Sequence, residues 1–426
     1  MTNLTPFRAL VYNQEKIKDI AGVVCPPYDV ISAEKQRYYH EASPYNLIRL
    51  LLGEDVSGED KYRRAGEVFR DWIKQKVLVQ ESVPAIYFYS QQYTLRGENR
   101  TRIGFIARMR LEDNGKYVYG HEHTRLEPKE DRFKLLKQVK ANLSPIFVIL
   151  EDGKRVIQRT YRQTITGKKP LIDIRDEEGI THKLWRLDQP ESIAMIQAGT
   201  RDENIFIADG HHRFEVACAF RDEMKRKLGA KFTGDEDFNF IMTYCTNTDP
   251  RGLSILPVHR LLKLQAGFDF EAFKMSLGEH FALEQVKDRI RFFFLMERAG
   301  RTENVLGLYK DKSFWLLRLK NVKVLDEAVS DKPKEYRNLD ISILNYLILK
   351  RILGLDVEDK ERLKFSPFAE EFIREVDRDS ASMVFFLNPV KVQQIIKVAL
   401  RGERMPSKST YFYPKVLSGL VINKFD

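Results

Sequence analysis

In Ile205-Phe-Ile-Ala-Asp-Gly-His-His-Arg213 an acid, a glycine, two imidazoles and a guanidinium follow directly on a short apolar run. That set suits phosphate chemistry. A helix starting after Gly210 offers amides with no intrahelical partner and a partial positive charge. A turn that aims them at an anion makes a phosphate site. Gly210 lets backbone approach a ligand, and Arg213 adds a fork of donors. His211 and His212 can donate hydrogen bonds or carry protons near neutral pH. Asp209 would repel an anion unless Mg²⁺ or a substrate hydroxyl stands between them. An acid beside several cationic donors is what phosphoryl transfer to a hydroxyl requires. The same residues could be an N-cap aspartate and its exposed neighbours, but their density behind an apolar strand favours function.

Four other groups carry chemistry. Asp29 follows Cys25-Pro-Pro-Tyr28 and is either an acid held at a strand end or part of a Pro-Pro turn. His121 and His123 flank Glu122 and share a face if the segment is a strand. This is not the zinc-protease helix motif, because Arg125 stands where a second ligand histidine would be. The preferred reading is a catalytic Glu122 with His121, His123 and Thr124 as substrate contacts. His259 precedes Arg260 in an extended run and is counted with those contacts, although a lone His-Arg in a strand is more often solvent-facing or a core hydrogen-bond donor. Lys408, Ser409 and Thr410 form a phosphate-binding set without the glycine-rich run of a P-loop.

These residues need scaffolding. Ile205 to Ala208 has the length of a buried strand, and Phe214, Ala217, Cys218 and Met224 recur at helical spacing up to a stop at Gly229. Residues 5 to 31 read as extended chain. Ser32 to His40, Asp60 to Gln75 and Glu127 to Lys140 read as helices. Ala85 to Tyr93, Arg102 to Met109 and Lys116 to Tyr119 read as strands, turned at Gly97 and Asn114-Gly115. Downstream, Ile341 to Leu353 reads as a buried helix, and Asn388-Pro389 as the cap of a helix to Leu400. The predicted class is α+β, a mixed sheet with helices. A catalytic region spans 1–265 and an accessory α/β domain 266–400. A tail, 401–426, docks back on the site.

The 426 residues are 43% hydrophobic and carry a net charge of +10, with the 71 basic residues dispersed rather than clustered. Such a surface suits small anions, and no basic arm or helix-turn-helix supports a nucleic-acid partner. Cys25, Cys218 and Cys245 form no CxxC pair, which argues against disulfides and structural zinc and fits a reducing cytoplasm. No secretory leader and no span long enough for a bilayer are read. GxGxxG, GxxxxGK[ST], HExxH, GxSxG and the protein-kinase motifs are all absent.

Cys25-Pro-Pro-Tyr-Asp-Val-Ile31, His121-Glu-His-Thr124, Ala208-Asp-Gly-His-His-Arg213, Leu256-Pro-Val-His259 and Met405-Pro-Ser-Lys-Ser-Thr-Tyr-Phe-Tyr-Pro-Lys415 together resemble a widespread prokaryotic family of unassigned function. Asp209 to Arg213 is also similar to the Asp-Gly-His-x-Arg signature of free-serine kinases in the ParB/sulfiredoxin superfamily. There the equivalent turn binds nucleotide phosphates: CTP in ParB, ATP in sulfiredoxins, ADP or ATP in the kinases. The resemblance implies a ParB/sulfiredoxin-like core around 205–228. It implies a kinase passing phosphate from ATP or ADP, with Mg²⁺ near Asp209 or Glu122, to a small hydroxyl such as free L-serine. Gly210, His211, His212, Arg213, Lys408 and Ser409 would hold phosphate. Asp209, Glu122, His211 and Asp29 would be the catalytic groups. The alternatives are a CTP-binding regulatory protein of the ParB kind and a metal-dependent hydrolase using His121, His123 and Asp209. The expected partners are a nucleotide and an amino-acid-like substrate, and a homodimer stays open.

Overall fold

The computed structural model describes residues 3–112 and 117–425. The chain is α+β and divides into two compact units. Met1–Gly120, Thr124–Ser254 and Pro414–Asp426 form the first; His121–His123 and Ile255–Tyr413 form the second. The chain passes from the first unit to the second after Ser254 and returns to the first after Tyr413.

The first unit is built on a mixed sheet. Its strands are β1 (Leu4–Thr5), β2 (Ile86–Leu95), β3 (Glu98–Arg110), β4 (Val118–Gly120), β5 (Ile146–Leu150), β6 (Ile172–Arg175), β7 (Thr181–Leu187), β8 (Ile205–Asp209) and β9 (Phe240–Asn247). They run in the order β4-β8-β5-β9-β3-β2-β7-β6, with β1 added to β3. β8 is parallel to β4 and antiparallel to β5, and β5 is parallel to β9. β5, Ile-Phe-Val-Ile-Leu, is buried at every residue, as a continuous apolar run between two neighbours should be. The hairpin β2–β3 turns at Arg96-Gly97, both at positive φ, the geometry of a two-residue type I′ turn. The Asn114-Gly115 turn lies outside the described residues. Phe88, Phe105, Ile146, Val148, Ile196 and Ile207 lie in the core.

Helices Lys61–Lys74, Leu126–Val139 and His211–Leu228 cover this unit, the first capped by Asp60. His211–Leu228 buries Val216, Ala217 and Phe220; a fully buried Val or Phe contributes about 1.5–3 kcal/mol relative to exposure. The segment expected to be extended through residue 31 instead contains short 3₁₀ turns, Ala21–Val23 and Tyr28–Val30. Pro27, at φ −60, leads into the second, so Asp29 sits on a tight turn rather than a strand.

The second unit has an antiparallel sheet of β10 (His259–Lys263), β11 (Phe281–Val286), β12 (Val305–Lys310), β13 (Ser313–Leu319), β14 (Leu363–Ser366) and β15 (Ser382–Phe386), ordered β11-β13-β12-β15-β10-β14. The predicted helix over 341–353 is a π-helix across Ile343–Ile352, with the wide i→i+5 bond from Leu353 N–H to the Ile348 carbonyl. The last helix, Val392–Leu400, has Lys391 at its N-cap position, where the Gln394 side chain accepts from the Lys391 N–H at 2.9 Å, and not Asn388, whose amide donates to the Val305 carbonyl.

Candidate functional site

β8 ends in a register shift between Ile207 and Asp209 against β5, a bulge that re-aims the last side chain of the strand. Gly210 follows at φ 95. A Cβ there would meet Ile146 Cγ2 at 2.9 Å and an Arg213 nitrogen at 3.0 Å, so the turn takes only glycine without strain. Helix His211–Leu228 begins at once, and Gly210 brings no side chain to cap its first amides.

Asp209 is nearly buried, and both of its oxygens meet a cation. Lys415 Nζ lies 2.5 Å from Oδ1, and an Arg213 terminal nitrogen lies 2.7 Å from Oδ2. The other Arg213 terminal nitrogen donates to the Pro145 carbonyl at 2.6 Å. Burial alone would raise the Asp209 pKa. Lys415 first, then Arg213 and His211, override it and hold the carboxyl well below the usual carboxylate range.

Lys415 reaches this acid because a buried network holds its backbone. Gln91 donates to the Lys415 carbonyl at 2.8 Å, and Arg102 donates to the Pro414 carbonyl at 2.5 Å and to Gln91. Both Gln91 and Arg102 are fully buried, and Arg102 stacks on Phe147. Farther along, Ser418 N–H donates to the Cys25 carbonyl at 2.8 Å, while the Ser418 and Ser144 hydroxyls meet at 2.6 Å. The same tail segment therefore anchors Lys415 and the Cys25-Pro-Pro-Tyr-Asp29 turn.

Asp29 joins this group. Loss of solvent around its carboxyl and the like charge of Asp209 raise its pKa, against Lys415 and Arg213. The residue as a whole stays exposed at the edge of this group. The neighbouring Tyr28 hydroxyl is pushed up to about 12, by burial and then by Asp29. Arg132 lies 4.3 Å over the Tyr28 ring. Tyr28, Arg132, Arg213, Asn142 and Ser144 share the wall of a small cavity of about 60 Å³.

The first unit thus gathers Asp29, Asp209, Gly210, His211 and Arg213. His211 is buried and packs so close to Gly120 that a Cβ there would stand 3.3 Å from its ring. His212 and Thr124 are engaged beside the turn: His212 Nε2 accepts from Arg125 N–H at 3.0 Å, and the Thr124 hydroxyl donates to Glu215 at 2.6 Å. His121, Glu122, His123, His259, Lys408 and Ser409 belong to the second unit. There His121 Nε2 lies 3.1 Å from the Thr410 hydroxyl, His259 accepts from Leu387 N–H under Phe386, and the Ser409 hydroxyl donates to the Pro406 carbonyl. Lys415, Tyr28 and Arg132 were not singled out from the sequence. Lys415 closes the tail motif, and that was its only local signal. Among the described residues no three His, Cys, Asp or Glu side chains gather as metal ligands, and no helix is long and apolar enough to cross a membrane.

A family model described as "Protein of unknown function (DUF1015)" matches residues 4–342, and the chain belongs to that family. No curated protein matches it. Among solved structures, a free serine kinase in complex with AMP is similar at 15% identity and a TM-score of 0.31, over 72% of this chain and 86% of that one. A conserved hypothetical protein from Pyrococcus furiosus is similar at 14% and 0.32, over 74% and 92%. SbnI with a C-terminal truncation, from Staphylococcus aureus, is similar at 11% and 0.35, over 74% and 85%.

Proposed function

We propose that the turn after β8 is a phosphoryl-transfer site, taking a nucleotide, ATP or ADP, and passing phosphate to a small hydroxyl with free L-serine as first candidate. The observation that carries this reading is the Asp209–Arg213–Lys415 cluster at an uncapped helix start, with Asp29 beside it. Two carboxylates in one site with opposite pKa shifts separate the roles. Asp209, held ionised, is a poor proton acceptor; it orients Lys415 and Arg213. Asp29, shifted upward and open to solvent, is the better acceptor for a substrate hydroxyl proton. The amides after Gly210 and the Lys415 ammonium would stabilise charge on the transferred phosphoryl group.

The donor set does not fit a Mg²⁺ ion held by the chain at Asp209, since both of its oxygens already meet cations. Magnesium would arrive on the nucleotide phosphates, and the chain's own residues would orient the substrate, accept its proton and neutralise charge. ³¹P NMR with Mg²⁺, L-serine and either ATP or ADP tests the reading. A phosphoserine resonance that disappears in folded Asp29→Asn and Lys415→Met proteins is expected. Full turnover in both variants would overturn it, and saturable CTP binding without turnover would favour a regulatory protein.

A further inference from the structure

The second unit holds a cavity of about 560 Å³, in the size range of organic-ligand pockets. Its wall includes Arg260, His123, Lys350, Tyr346, Asp356 and Glu358. Arg260 is 1% exposed. Its terminal nitrogens donate only to backbone carbonyls: to Val258, to Ser407 at 3.1 Å and to Lys408 at 2.8 Å. Its Nε finds no acceptor, and no carboxylate stands within ion-pair reach among the described residues. The guanidinium lies 5.0 Å over the Phe365 ring, and burial lowers its pKa to about 9. A buried charge is costly unless a counter-charge compensates it, and carbonyl dipoles supply only part of that.

A second observation points to the same place. Asn345, Tyr346, Leu349 and Lys350 reach the cavity from the π-helix Ile343–Ile352. Such helices are rare and cluster at functional sites. Lys350 is exposed, and its ammonium lies 6.0 Å over the Tyr346 ring, so a second cation stands in the same wall. Gly354 lines the cavity just past the helix at positive φ and adds no side chain to the space.

We propose that this cavity binds a monophosphate ester with a hydroxylated body, a nucleotide or a sugar phosphate. The phosphate would supply the counter-charge for Arg260 and Lys350, with His123 as a further donor. Asp356 and Glu358 would accept from hydroxyls, as carboxylates do from ribose. Tyr346 would offer a face to a ring. The site stands on residues of the second unit and does not depend on the reading of the Asp209 turn.

Calorimetric titration with AMP, ribose 5-phosphate, adenosine and inorganic phosphate tests it, using the full chain carrying Asp209→Asn, Arg213→Met and Lys415→Met so that the turn loses its charged side chains. Saturable binding of AMP, of ribose 5-phosphate or of both is expected. Adenosine should bind at least tenfold more weakly than AMP, and inorganic phosphate should compete. Preference for AMP assigns a nucleotide, and equal binding assigns a sugar phosphate. Exposed Lys350→Glu should weaken the bound ester at least tenfold without altering the fold. No saturable binding, adenosine equal to AMP, or affinity unchanged by Lys350→Glu would overturn the proposal. The same titration in the chain with an intact turn tells the two readings apart, because binding seen only there belongs to Asp209.

Discussion

The turn after β8 and the cavity beside the π-helix each bury an arginine, and they balance its charge in opposite ways. Arg213 meets a carboxylate that also meets Lys415. Arg260 meets carbonyls and the Phe365 ring, and no carboxylate among the described residues. The first arrangement pairs both of its cations with one carboxylate, which fixes them in place, so a ligand finds oriented dipoles and cations that need little rearrangement. The second leaves the buried Arg260 guanidinium without a carboxylate partner among the described residues, which is a standing attraction for an anion at that point of the wall. Internal pairing holds a geometry ready for chemistry, and an unbalanced charge favours binding.

The largest effect should come from breaking the balanced side. Asp209→Ala leaves Lys415 and Arg213 as like charges in a nearly buried space. It should cost about 3–5 kcal/mol in urea denaturation. Adding Lys415→Met should recover part of that loss, because the pair is coupled. Additive losses would mean that the contact is energetically idle. Arg260→Met should cost less, about 1–3 kcal/mol, since it leaves buried carbonyls without a donor but strands no ion. Equal losses at Asp209 and Arg260 would erase the contrast. Gly210→Ala sits next in size. Its φ of 95 and its contact with Ile146 predict a loss of about 1–3 kcal/mol, with phosphoryl transfer, where present, falling further than stability.

The strand, the turn and the helix start around Asp209 were legible because each signal is local: an apolar run, a glycine, a helical period. Lys415 was not, because its partner lies 206 residues away and it arrives through buried Gln91 and Arg102. The role of His259 was hidden for the same reason, since its ring packs under Phe386 and bonds to Leu387 only after the sheet assembles. Residues 343–352 are apolar nearly all round, and no local pattern separates i→i+5 from i→i+4 bonding there. Helix Arg289–Ala299 went unread because Ile290 and Phe294 stay exposed, at 81% and 62%, and blur its apolar face.

The smallest effect separates the two acids of the turn. Asp209 has a folded pKa below its unfolded one, so the stability it adds is present above the ordinary carboxylate pKa, near 4, and is lost as pH falls through the folded value. Asp29 has the opposite sign. Its folded pKa is raised, so the folded state favours the protonated form and loses stability as pH rises past the unfolded value. Asp29→Asn should therefore leave stability at pH 4 nearly unchanged and raise it at pH 7. The gain should stay below about 1 kcal/mol, because the exposed carboxylate is screened by solvent. Chemical denaturation of both proteins across pH 4–8 measures it. A variant that loses stability at pH 7 would show that Asp29 is held ionised like Asp209, and the division of the turn into an anchoring acid and a proton-accepting acid would fail.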